Sequence, residues 1–335
     1  MPPPPGSEQE RVPWPLTSDF GFDEPVPVAP PPPPPRPDRP WVHLVLLALT
    51  LATTTFVGGC HYLSFEQAFA PIADADVTGV FSRPSFYLNG LWYSLTVLGI
   101  LGCHEMGHYV ACLRYRVDAT RPYFLPAPLP LTGTLGAVIR IRSRIPSKTA
   151  LFDIGIAGPI AGFVVAVPAL LAGLALSEVV RLPPNQQDLI SLGEPLLFRG
   201  AAWLIFGAVP DGYSVNMHPM AFAAWFGLLA TALNLFPVAQ LDGGHISYAV
   251  LGRRSLWITS AMVLVAIGLT FQSTSWIAWT VMLLVMLAVV GPRHPPTVDD
   301  HTPISRGRLW LALFAVFMLA VCFTPAPIEP FVTGP

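Results

Sequence analysis

The chain has 335 residues, 53% of them hydrophobic and 11% charged, with a mean hydropathy of +0.55. A soluble globular chain carries about 25% charged residues, and less than half that density cannot cover a water-soluble surface of this size. A formal net charge of -2 and a pI near 6.4 offer no basic excess for nucleic acid. The composition is that of a polytopic, all-α membrane protein.

Residues 1–40 hold 16 of the 39 prolines. Proline fixes φ and donates no backbone hydrogen bond, so this arm is expected to be a disordered tail. Because the first apolar run comes only after it, no secretory signal is expected. The four cysteines (Cys60, Cys103, Cys112 and Cys322) mostly sit in or beside apolar runs without framework spacing, and read as small buried hydrophobes.

A membrane-embedded domain is expected over 41–325, followed by a short tail, 326–335. Seven apolar stretches fit a bilayer, near 41–58, 88–113, 150–176, 218–237, 256–272, 275–291 and 308–324. A further run, Pro195–Pro210, is interrupted by Arg199 and reads as interfacial or re-entrant. With the N-terminus in the cytoplasm of a cell (inner) membrane, 15 of the 18 Lys and Arg residues fall on the inner side. Only Arg83, Arg181 and Arg199 fall outside, so the positive-inside rule favours that orientation.

The inner segment after the second stretch is not a plain loop. In Gly136–Arg144, Ile139 and Ile141 alternate with Arg140, Arg142 and Arg144, which is strand periodicity. The preceding Pro122–Pro130 is extended by its prolines, and Thr132–Gly136 supplies a turn. A small β-hairpin at the cytoplasmic membrane surface is expected, against the plainer reading of a basic loop on anionic lipid.

The second stretch contains His104-Glu105-Met106-Gly107-His108. On a helix, residues i and i+4 share a face, so both imidazoles can reach one zinc ion with Glu105 beside the open coordination position. Ionisable residues inside an apolar span are costly and usually functional. A three-ligand catalytic zinc needs one more donor. Asp242, in Asn234-Leu-Phe-Pro237-Val-Ala-Gln-Leu241-Asp242-Gly243-Gly244-His245, is the only carboxylate between Asp211 and Asp299. Taken alone it is a helix N-cap, a role compatible with metal ligation. His245, three residues on, competes for the same place. The lone carboxylate has the stronger case, because a neutral imidazole can stay buried with one hydrogen bond. Cys112, one turn past His108, is a weaker soft-ligand candidate.

These motifs resemble those of the site-2 protease family of intramembrane zinc metalloproteases. The resemblance rests on H-E-x-x-H in one span and N-x-x-P-x-x-x-L-D-G in a later one. Gly133-Thr-Leu-Gly136 and Asp153-Ile-Gly-Ile-Ala157-Gly158-Pro159 reinforce it, and together they cover roughly 88–250. It implies one Zn2+ per chain held by His104, His108 and Asp242, with Glu105 as catalytic acid/base. It also implies substrate contacts from Asn234, Gly133 and Gly136, and membrane-protein substrates cleaved within the bilayer. The Ser177–Met217 connection is too short for the PDZ domain of many members, and no nucleotide-sensing module is expected after the last span. The rival is a non-proteolytic membrane protein that uses the His/Glu/Asp cluster for ion or proton transport.

Overall fold

Proline opens the long helices where a missing N–H costs no hydrogen bond. In the computed structural model, which describes residues 38–68, 77–183 and 190–330, helix α1 (Pro40–Glu66) begins this way. After a short helix α2 (Val77–Phe81), so does α3 (Pro84–Arg114). Most of the expected N-terminal tail and the last five residues lie outside the described residues.

Strands β1 (Tyr123–Pro126) and β2 (Thr134–Val138) form an antiparallel hairpin. Helix α4 (Lys148–Ala175) follows, capped by Ser147, whose side chain accepts the Ala150 N–H. Next come β3 (Glu178–Arg181), β4 (Ile190–Leu192), α5 (Leu196–Phe206), β5 (Tyr213–Asn216) and α6 (Pro219–Asn234). Helix α7 (Asp242–Leu251) joins α8 (Ser255–Thr270) through the 3-10 turn Gly252–Arg254, and α9 (Ser275–Val290) and α10 (Arg306–Cys322) complete the helices. The final strand is β6 (Ile328–Pro330).

All seven expected spans are therefore helical. Four stretches among the described residues are long and apolar enough to cross a membrane: Pro40–Glu66, Pro84–Arg114, Lys148–Ala175 and Asp242–Thr270. Pro219–Asn234 and Ser275–Val290 are apolar but shorter. Helices α1, α3, α4 and α6 close around Tyr93, Val97, Ile100, Leu170, Trp225 and Leu228. Small residues let them approach: a Cβ at Gly90 would meet the Thr55 carbonyl, and one at Gly58 the Gly90 carbonyl.

The hairpin differs from expectation in position and in register. The ladder begins at Thr134, within the segment expected to turn, and the chain reverses over 127–133. The Arg-alternating stretch forms only the isolated bridge Ala119–Ile141. The hairpin runs along α1. His43 Nδ1 bonds the Pro122 carbonyl at 3.1 Å, and His61 Nε2 bonds the Leu131 carbonyl at 3.0 Å. Those histidines are 18 residues apart in sequence, about 27 Å along the helix axis at 1.5 Å per residue. The reason is polar satisfaction. Three successive tip carbonyls receive donors from the helices: Leu131 from His61, Thr132 from Tyr93 (2.9 Å) and Gly133 from Thr53 (2.7 Å).

Two further antiparallel pairs, β3–β5 and β4–β6, were not expected. Each strand has only three or four residues, too few for a periodicity to register.

Candidate metal centre

The site is assembled from α3, α4, the α6–α7 turn and the end of β2. His104 and His108 leave one face of α3 and are 5% and 7% exposed. Helix α6 ends at Asn234, and Pro237 in the following turn cannot continue it. The turn then folds back tightly, with Ala239 at φ 43. Gly243 and Gly244 permit this, because a Cβ at either would strike the carbonyls of Leu235, Phe236, Val238 or Ala239. Asp242 is the first residue of α7; Leu241 holds the N-cap position, so the expected capping role falls away.

The Asp242 carboxylate thereby reaches both imidazoles. His104 Nε2 lies 3.1 Å from Oδ2, His108 Nε2 lies 3.3 Å from Oδ1, and the two Nε2 atoms are 3.2 Å apart. Four ligands about 2.05 Å from one zinc ion stand roughly 3.3 Å from each other, the edge of the tetrahedron. The donor set and its spacing fit zinc. His108 Nδ1 donates to the Ile154 carbonyl at 2.7 Å, which fixes the tautomer and leaves Nε2 for a cation.

A glycine stripe on α4 makes room for these rings. A Cβ at Gly158 would run into the His108 ring, one at Gly162 would stand 3.2 Å from His104 Cβ, and one at Gly155 would stand 2.9 Å from His245 Cβ. Gly107 of α3 packs on the Ala157 carbonyl in the same seam. Asp153, at the start of α4, ties α10 to this helix: Arg308 donates to it through Nε and Nη2 at 2.8 and 2.7 Å, and Tyr115 also donates to it.

Glu105 is 9% exposed and stands beside the triad. Its Oε2 accepts the Ile139 N–H at 2.8 Å. Asn234 Nδ2 lies 3.4 Å from His104 Nε2, at the rim of the cluster. The two hairpin glycines part company. Gly133 (φ 68) is pressed against α1, 2.9 Å from Thr53 O as judged by a built Cβ, whereas Gly136 (φ 106) has open space around it. Cys112 is buried with Val117 and Ile154 and is not part of the group that His104, His108 and Asp242 form.

His245 turns elsewhere. Its Nδ1 lies 2.7 Å from His294 Nε2, and His294 Nδ1 lies 2.7 Å from the Pro295 carbonyl. Burial pushes the His294 imidazole below its ordinary pKa. His294 also stacks on Tyr248, with ring centroids 4.5 Å apart. Sequence spacing gave no sign of this contact or of the Ile139 and Ile154 backbone partners, which depend on how distant segments pack.

The segment that carries these residues matches known proteins. The sequence model of peptidase family M50 matches residues 92–273. The "Probable zinc metalloprotease EGY1, chloroplastic" of Arabidopsis thaliana is 31% identical over 240 residues, 69% of this chain and 42% of that protein. The "Probable zinc metalloprotease EGY2, chloroplastic" of Oryza sativa subsp. indica is 29% identical over 269 residues, 78% of this chain and 47% of that protein. The chain thus spans about half the length of the curated relatives it matches.

Proposed function

Because the chain belongs to peptidase family M50, we propose that it is an intramembrane zinc metalloendopeptidase acting on the transmembrane segments of membrane proteins. The observation that carries this reading is the triangle of His104, His108 and Asp242, with Glu105 beside it. In this reading His104 Nε2, His108 Nε2 and an Asp242 oxygen hold the metal. Zinc, when bound, lowers the pKa of water to about 7 and polarises the scissile carbonyl. Glu105 takes the proton of the attacking water and delivers it to the leaving amine, so one carboxylate serves as base and then acid.

A substrate helix hides its amides in i→i−4 bonds, so the bond to be cut must be presented in extended form. The hairpin supplies a strand beside Glu105, and a substrate segment would add to it by β-augmentation. Asn234, at the rim of the triad, would bond the substrate backbone, and the open Gly136 would let that backbone approach. Gly133, pressed on α1, would act through the hairpin's placement. The apolar stretches would make seven spans, and the basic residues favour the N-terminus and the 114–148 segment in the cytoplasm, in a cell membrane.

The test is zinc-dependent cleavage by the purified full chain in detergent or nanodiscs, with Glu105→Gln for comparison. This variant keeps size and hydrogen bonding but cannot act as a base. Zinc should stay at one per chain while cleavage falls on the order of 10²–10⁴-fold. Cleavage that survives in Glu105→Gln would remove Glu105 from this role, and a wild-type chain without zinc would sink the protease reading.

A further inference from the structure

We infer that the backbone N–H of Ile139 is a positioning group for Glu105, fixing the carboxylate to the strand along which a substrate would extend. The inference rests on the protease reading above and adds a part that side-chain motifs do not reveal.

The argument begins with which way the peptide groups face. Thr120 N–H donates to the Arg140 carbonyl at 3.0 Å, Arg140 N–H donates to Thr120 Oγ1 at 3.0 Å, and Arg142 N–H donates to the Asp118 carbonyl at 2.8 Å. Residues 140 and 142 therefore turn their backbone groups toward 118–120. Successive residues of an extended chain present their groups to opposite sides. The Ile139 N–H consequently points away from 118–120, and there it meets Glu105 Oε2 at 2.8 Å.

The donor is held firmly. Beyond it the chain is pinned by the 118–120 segment, and before it the hairpin tip is bonded to Thr53, His61 and Tyr93. A glutamate side chain has several rotatable bonds, and a fixed donor on one oxygen selects a single orientation. Holding Oε2 on the strand leaves Oε1 for the proton that the reaction moves. The geometry also sets a register. Because the Ile139 N–H is committed to Glu105, a substrate strand pairs with β2 before this point, and its scissile bond lies next to residue 139. The same contact that orients the base thus marks where extended substrate must stop pairing.

The test replaces Ile139 with its α-hydroxy-acid counterpart by nonsense suppression in the full-length chain, exchanging one N–H for an ester oxygen and keeping the side chain. A charge-assisted hydrogen bond of this kind is worth enough to lower kcat by about tenfold or more when lost. KM should stay within about twofold and zinc at one per chain, because neither substrate pairing nor the metal ligands are touched. The same exchange at Thr120, whose N–H serves the inward pairing, should lower thermal stability without that selective loss of kcat. An unchanged kcat at 139, or parallel losses at 139 and 120, overturns the inference while leaving the protease reading standing.

Hydrogen exchange tests the contact without any substrate. In Glu105→Ala, the Ile139 amide should exchange about tenfold faster or more, while the Arg140 and Arg142 amides keep their protection. Equal exchange in the two proteins overturns the inference. A wild-type chain with no zinc-dependent cleavage overturns the protease reading and the positioning role together.

Discussion

Gly158→Ala adds a single methyl group, yet the structure expects it to cost the metal. The added Cβ would lie 2.5 Å from both Cδ2 and Cε1 of His108, and closer still to Nε2. Ordinary carbon contacts stand at about 3.5–4.0 Å, so the ring must retreat by about 1 Å. The retreat is blocked, because His108 Nδ1 is held at 2.7 Å by the Ile154 carbonyl of the same helix that pushes it. Widening the seam would open the contact of Gly107 on the Ala157 carbonyl. Metal–ligand distances tolerate about ±0.2 Å, so a shift of about 1 Å is several times what the site accepts. Overpacking should also destabilise the fold by about 1–3 kcal/mol. Zinc per chain by mass spectrometry, peptidase activity and thermal unfolding should all fall in Gly158→Ala. The internal comparison is Gly162→Ala, whose Cβ would stand 3.2 Å from His104 Cβ, a few tenths of an ångström too close. That variant should retain zinc. A Gly158→Ala protein with full zinc and full activity would refute the claim that this glycine makes room for the ligand.

Asp242→Ala should lose both tight zinc and activity, whereas His245→Ala should keep the metal and at most part of the activity be lost; the reverse zinc pattern would transfer the ligand role to His245. Tyr93→Phe leaves the Thr132 carbonyl without its 2.9 Å donor at the buried hairpin tip, so thermal stability should drop by about 1–3 kcal/mol with zinc retained, and an unchanged melt would show that the tip finds another donor. Single cysteines placed at Arg144 and Tyr213 should react with an impermeant reagent from opposite sides of the membrane, and labelling of both from one side would overturn the seven-span orientation.

The helices were legible because a bilayer-sized apolar run leaves a strong one-dimensional signal, and each stretch from 41–58 to 308–324 corresponds to a helix. Their ends were less so. Helix α3, the second expected span, continues back to Pro84, and the stretch 218–237 loses its last three residues to the turn that Pro237 helps form. The hairpin was legible as a pair of extended segments but not in its register. Alternation of Ile139 and Ile141 with arginines argued for a strand over 136–144, whereas the ladder runs over Thr134–Val138 and reaches only an isolated bridge at Ile141. The bonds from His43, His61, Tyr93 and Thr53 that draw the chain along α1 and α3 come from residues 39 to 80 positions away, which no local pattern reports.

The triad was legible for a different reason: chemistry inside an apolar span is conspicuous. Two histidines four apart fix a helical face, and a lone carboxylate in a long apolar stretch must find a cation or a donor. What the sequence hides is the support of those groups. The Ile154 carbonyl that sets the His108 tautomer and the Ile139 N–H that holds Glu105 are backbone atoms that every residue type carries, so composition cannot single them out. The glycines 155, 158 and 162 lie between these extremes. Their spacing of three and four residues marks one face of α4, and any such stripe in a membrane helix allows close packing. Only the structure shows that the His245 Cβ and the side chains of His108 and His104 occupy the room they leave. A centre built this way ties the positions of its ligands to the seam between α3 and α4, so a methyl group in the seam reaches the metal before any ligand is changed.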